Sequence, residues 1–242
     1  MPDPLFDNKR LAETYDPMDP DRSDLDAYAA MVDEFRAGSV LDIGCGTGTF
    51  ALMLAARGVE VVGVDPAGAS LEVARGKQGA AAVRWIHGDA TTLPTMQVDL
   101  ATMTANVTQV FGTDDDWSAT LRGVHAAVKP GGRLVFETRD PARKAWLEWG
   151  REHSHATVDI PGIGSVETWC DILDVTGQLV TFRWTNIFAS DGEVITSDST
   201  LRFRDRPEIE ESLRANGFVV DEVRDAPDRP GREFVFVATR QD

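Results

Sequence analysis

The chain has 242 residues, 42% hydrophobic and 26% charged without long polar blocks, which excludes disorder as the main state and allows one large domain or a core domain with an insertion. Its 24 Lys and Arg face 40 Asp and Glu, and the formal charge of −16 disfavours nucleic acid and anionic lipid as partners by plain repulsion. The two cysteines, Cys45 and Cys170, match no metal or redox spacing, the acidic N-terminus lacks the features of a signal peptide, and no long apolar run occurs, so a cytoplasmic, membrane-free protein without a metal site is expected.

Residues 1–37 carry ten Asp/Glu against four Lys/Arg and the turn-rich run Asp16-Pro17-Met18-Asp19-Pro20, before a helical pattern from Leu25 to Phe35. They are predicted to form a leader or lid on a domain spanning residues 38–242. From Val40 onward strands and helices alternate. The runs Ser39 to Ile43, Val59 to Val64, Val83 to His87, Val98 to Thr102 and Arg133 to Thr138 are short and rich in Val, Ile or Leu, as strands buried on both faces require. Helices are predicted over Phe50 to Arg57, Ala67 to Gly76 and Asp114 to about Val128, the last opened by three carboxylates that suit a helix N-terminus and closed by Pro130-Gly131-Gly132.

A further helix is expected from Arg143 to Trp149. Beyond it the pattern alternates between polar and apolar from Ser165 to Phe203, with turns at Thr176-Gly177 and Ser190-Asp191-Gly192-Glu193. This predicts an antiparallel β-meander inserted at about residues 153–206. A helix from Pro207 to Asn216, stopped by Gly217, and two strands, Phe218 to Val223 and Glu233 to Thr239, complete the chain.

The chemistry concentrates at strand ends. In Val40-Leu41-Asp42-Ile43-Gly44-Cys45-Gly46-Thr47-Gly48 a buried strand ends in Asp and enters a loop with three alternate glycines before a helix. Such a loop lets a ligand approach main-chain N–H groups at the carboxyl edge of a sheet. A dinucleotide fingerprint would place its third glycine at position 49, which is Thr49, so an amino-acid-bearing nucleoside is the better guest. Asp65, at the end of the second strand, can bind both hydroxyls of a ribose, and His87-Gly88-Asp89-Ala90, after the third, can recognise adenine.

Together these segments resemble the motifs of class I S-adenosylmethionine-dependent methyltransferases of the small-molecule type, with Val128-Lys129-Pro130-Gly131-Gly132-Arg133-Leu134 resembling the segment before the family's fifth strand. The resemblance covers about residues 38–140. It implies a Rossmann-like α/β fold: a seven-stranded, mostly parallel sheet with an antiparallel last strand, helices on both faces and the meander as an insertion. It also implies S-adenosylmethionine as methyl donor, S-adenosylhomocysteine as product, and a cofactor site at Asp42, Gly44, Cys45, Gly46, Asp65, Pro66, Asp89 and Ala90. Met103 and Asn106, after the fourth strand, are candidates to line the sulfonium.

On the acceptor side the candidates are Tyr15, Gln109, Arg139 and Trp146, with His153 and His155 as candidate bases. Each has a plainer reading. Trp146, Trp149, Trp169 and Trp184 can form the insertion's own small core, Arg139 a salt bridge, and a His in a polar loop is commonly just solvated. The segment Met103-Thr104-Ala105-Asn106 departs from the Asn/Asp-Pro-Pro-Tyr/Phe pattern of enzymes that methylate nucleic-acid bases. The expected function is methyl transfer to an O or N atom of a small molecule by a monomer or homodimer. The alternatives are a non-catalytic binder of the same cofactor and a nicotinamide-dependent oxidoreductase.

Overall fold

Apolar runs of five or six residues separated by helix-length stretches bury both strand faces only in a sheet covered on two sides. The computed structural model, which describes residues 2–242, contains that sheet. Strands β1 (Ser39–Ile43), β2 (Glu60–Asp65), β3 (Val83–His87), β4 (Val98–Met103) and β5 (Val128–Arg139) are parallel. Then β6 (Ala156–Ile160), β7 (Gly164–Thr176), β8 (Leu179–Phe188) and β9 (Val194–Arg202) form a separate antiparallel sheet in sequential order. The chain returns through β10 (Phe218–Asp225) and β11 (Glu233–Arg240), and β11 runs antiparallel to both of its neighbours. The large sheet has the order β10-β11-β5-β4-β1-β2-β3. This is the Rossmann-like fold with an inserted meander that the resemblance implies.

Among the described residues eight α-helices accompany the strands: α1 (Pro4–Asp7), α2 (Lys9–Met18), α3 (Asp24–Glu34), α4 (Thr49–Ala56), α5 (Gly68–Gly76), α6 (Asp114–Ala127), α7 (Arg151–Ser154) and α8 (Arg206–Ala215). Because successive strand residues point to opposite faces, Leu41 and Phe136 join Trp117, Leu121 and Leu213 of α6 and α8 on one side, whereas Val40 and Val135 join Leu25, Phe50 and Leu54 of α3 and α4 on the other. Across the β5–β11 pair, the directly opposed Phe136 and Phe236 stack with ring centroids 5.0 Å apart. No helix among the described residues is long and apolar enough to cross a membrane.

Four local expectations are corrected. The leader is helical before Leu25: Asn8 caps α2 by accepting from Arg10 N and Leu11 N, Leu11 and Ala12 are buried, and Pro17, which has no N–H for the Glu13 carbonyl, falls in the last turn, one residue before the helix ends. The predicted helix from Arg143 to Trp149 is instead two 3-10 turns, Pro141–Arg143 and Ala145–Glu148, interrupted by Lys144 in a left-handed conformation. Strand β5 starts at Val128, so Pro130-Gly131-Gly132 lies inside it, where the pairing with β4 shifts register. Finally, the small sheet begins one strand before the alternation does, with β6, which pairs with β7 through the Gly162 and Gly164 turn.

Candidate active site

Parallel strands deliver their carboxyl ends to one edge of the sheet, and side chains there face a common crevice. Asp42 is in register with Gly63 and Asp65 with His87, so β1, β2 and β3 end side by side. The loop after β1 folds back over the end of β2. Gly44 N and Cys45 N donate to the Val64 carbonyl at 2.9 and 3.2 Å, and Gly46 N donates to Asp65 Oδ2 at 2.8 Å. Asp65 Oδ1 accepts from Ala67 N at 2.7 Å. Each Asp65 oxygen therefore keeps a lone pair for a further donor, which suits the two hydroxyls of a ribose.

The three glycines, all with positive φ, do different work. A Cβ on Gly44 would lie 2.6 Å from the Val107 side chain and one on Gly48 2.5 Å from the Trp85 ring, so both permit close packing. A Cβ on Gly46 would meet nothing within 4 Å. The open side of the loop is thus at Gly46, beside Asp65. Cys45 is a buried free thiol whose titration burial pushes up, as expected for a packed side chain rather than a nucleophile.

Asp42 is 1% exposed, accepts from Thr102 Oγ1 at 3.1 Å, and burial raises its carboxyl to about 7. The Asp89 carboxylate is exposed and accepts from Thr91 N and Oγ1 at 2.8 and 2.6 Å, closing a turn. Next to it Ala90 is buried, and its carbonyl is so near α6 that a Cβ on Gly123 would lie 1.9 Å from it. The Pro66 carbonyl accepts from His87 Nε2 at 3.0 Å.

The ends of β4, β5 and β11 carry a second polar group. Met103 is fully buried. Asn106 N donates to Glu137 Oε1 at 3.2 Å, and Asn106 Nδ2 lies 3.3 and 3.4 Å from the Glu233 oxygens. Glu137 also accepts from Tyr28 Oη, and Glu233 from Arg229 Nη1 at 2.7 Å. Arg139 Nη1 donates to Gln109 Oε1 at 2.8 Å, while its Nε is 3.7 Å from Glu233 and its guanidinium 5.2 Å above the Trp149 ring. Burial lowers the Arg139 pKa, and Glu233 opposes that shift. Tyr15 is half-buried and tilted against Phe6 at 5.9 Å, and burial pushes its phenol pKa up. Gln109 and Arg139 are thus brought together.

Trp146 lies edge-on to Phe203 at 4.6 Å, and Trp149 packs on Phe182 and Phe203, so these two take the packing role against the small sheet. His155 Nε2 is 2.8 Å from Glu167 Oε1 and His153 Nδ1 3.5 Å from Glu152; both rings are exposed, and neither hydrogen-bonds a strand-end acid among the described residues. The sequence reading missed Asp16, Tyr28, Glu137 and Glu233. Glu137 left one signal: an acid directly after the apolar run Leu134-Val135-Phe136. Asp16 of α2 accepts from Thr47 Oγ1 at 2.6 Å and pairs with Lys77 at 2.6 Å, tying the leader to the glycine loop.

A family model described as a methyltransferase domain matches residues 40–132, the span from β1 into β5. Over that span the chain is similar to methyltransferase domains. The chain is 32% identical over 146 residues to a cypemycin N-terminal methyltransferase from a Streptomyces species, covering 59% of this chain and 60% of that one. It is 36% identical over 114 residues to a ubiquinone biosynthesis O-methyltransferase of Pseudomonas syringae pv. tomato, covering 45% and 47%. It thus spans between about a half and three fifths of the length of these curated relatives.

Among solved structures, a methyltransferase from Clostridium acetobutylicum superposes with a TM-score of 0.78 at 18% identity, over 97% of this chain and 99% of that one, and shows the same fold. An amino pentose methyltransferase from Micromonospora echinaspora, with S-adenosylmethionine bound, superposes with a TM-score of 0.69 at 25% identity, over 91% and 92%. Relatives therefore methylate both N and O atoms of small molecules.

Proposed function

We propose that this protein transfers a methyl group from S-adenosylmethionine to a small molecule, at a nitrogen or an oxygen, with an amine the better supported acceptor. The observation that carries the reading is the glycine loop closed on Asp65, with room left only at Gly46. In this reading Asp65 takes the ribose hydroxyls, Gly44, Cys45 and Gly46 offer the loop backbone, Pro66, Asp89 and Ala90 flank the base, and Asp42, Met103 and Asn106 border the methionine end. The bound cofactor supplies a methyl carbon activated by its sulfonium leaving group. The protein's own part is then alignment and exclusion of water, and for an amine the removal of a proton.

Tyr15, Gln109 and Arg139 are assigned to the acceptor wall, with Trp146 behind it and the helical leader over the mouth. The amine is favoured because the 32% identical relative methylates an N-terminus and the amino pentose enzyme matches over nine tenths of the chain. Two free, buried thiols support a cytoplasmic setting.

Calorimetric titration with S-adenosylhomocysteine tests the cofactor site. The parent is expected to bind saturably and Asp65→Ala to bind about 10- to 100-fold more weakly, as loss of charge-assisted hydrogen bonds implies. A screen of amines and hydroxylated compounds with radiolabelled methyl donor follows. Saturable binding with no labelled product from either class would favour a non-catalytic cofactor-binding protein, and a properly folded parent that binds no S-adenosylhomocysteine would overturn the proposal.

A further inference from the structure

At the turn after β4, two consecutive residues without Cβ-free latitude, Ala105 and Asn106, have φ of +55° and +59°. This left-handed conformation is costly for alanine and persists only where the surroundings impose it. Here two buried carboxylates impose it. Glu137 takes the Asn106 N–H and anchors Thr108 Oγ1 through its own carbonyl at 2.9 Å, while Glu233 takes Asn106 Nδ2. Since a carboxylate only accepts, Glu233 dictates which end of the amide faces it, and Oδ1 must point the other way.

Asn106 is 3% exposed, and its Oδ1 has no hydrogen-bond partner among the described residues. A buried carbonyl oxygen left so is unfavourable until a donor arrives. The next residue, Val107, packs on Gly44 of the cofactor loop, and Gln109, in the same 3-10 turn, carries Arg139. The turn that carries the orphan oxygen therefore touches the glycine loop on one side and Arg139 on the other.

We propose that Asn106 Oδ1 is the receptor for a ligand amine N–H, and that Glu137 and Glu233 are positioning residues that hold it in place. This rests on the methyltransferase reading above and refines it. The amine has two sources, the amino group of the cofactor's methionine end and the nitrogen of the acceptor. A neutral hydroxyl is the weaker match, because an ammonium N–H makes a charge-assisted and therefore stronger hydrogen bond to an amide oxygen.

The test pairs a ligand change with Asn106→Gly, which removes the amide yet tolerates φ +59°, so the variant is expected to fold. In the first arm, calorimetry compares S-adenosylhomocysteine with its analogue lacking the α-amino group. In the second, with S-adenosylhomocysteine saturating, benzylamine is compared with benzyl alcohol. The parent is expected to favour the amine member of one pair by about tenfold or more, and Asn106→Gly to lose most of that preference. Coupling in the first arm assigns the oxygen to the cofactor, and coupling in the second to the acceptor.

Glu233→Gln, which keeps an acceptor for Nδ2, is expected to retain the preference better than Glu233→Leu at matched thermal stability. No preference in the parent, or the same preference in parent and Asn106→Gly in both arms, would overturn the proposal. Failure of the folded parent to bind S-adenosylhomocysteine at all would instead remove the reading on which it rests.

Discussion

Asp42 shows how burial alone changes a side chain's chemistry. Its one side-chain hydrogen bond, from Thr102, does not offset desolvation, so its carboxyl titrates near 7 rather than near 4. Between those values the folded protein holds a proton that the unfolded chain has released, so stability falls as pH rises through this window, by about 1.4 kcal/mol per pH unit for one group. Below pH 4 both states are protonated and the contribution is complete. Urea unfolding of the parent and Asp42→Asn from pH 4 to 7 should show the parent losing stability relative to the variant; parallel profiles would contradict this. The Asp was legible in the sequence as a strand-end acid, but its elevated pKa was not, because it comes from burial by the folded sheet, with a smaller contribution from Asp65 on another strand.

At the scale of elements, the close approaches decide which segments are rigid. Gly123 lets α6 touch the Ala90 carbonyl, and a Cβ at 1.9 Å from a backbone oxygen forces one of them to move. Gly123→Ala is therefore expected to cost about 3 kcal/mol in chemical unfolding and to weaken S-adenosylhomocysteine binding by shifting Ala90. The leader is held differently, by polar links at both ends: Asp16 to Thr47 and Lys77, and Arg10 to Asp191 and Glu193 with its guanidinium 3.7 Å over Phe188. Asp16→Ala should raise hydrogen exchange within residues 9–18 while leaving the central strands protected. Equal exchange in both proteins would show that Leu11, buried against Ile160, Val166 and Phe188, holds α2 unaided.

For the molecule as a whole, a ligand that binds only the folded state stabilises it by mass action. At a hundredfold excess over its dissociation constant, S-adenosylhomocysteine adds about 2.7 kcal/mol, which raises the melting temperature of a chain this size by about 5–10 °C. A melting curve unmoved at that excess would mean that the folded state has no specific site. The meander joins the large sheet through buried charge as well as apolar packing. Arg204, 3% exposed, donates to the Phe111 and Thr113 carbonyls at 2.8 and 2.9 Å, and burial lowers its pKa to about 10. The insertion is thereby fixed to the loop that carries Asn106 and Gln109.

What the amino-acid sequence determined by itself was periodic or adjacent: the Val-rich strands, the alternating meander, the glycine loop and the acids that end β1 and β2. These depend on neighbours within a few residues, and strand ends share one sheet edge whatever their distance along the chain. The leader helices escaped notice because α2 buries Leu11 on a sheet formed about 150 residues later, while its Pro17 and acids read as turns. The cluster of Tyr28, Asn106, Glu137 and Glu233 escaped for the same reason. Its members are single polar residues on four separate elements, and only the pairing of β11 with β5 and the packing of α3 against them bring their side chains within hydrogen-bonding distance.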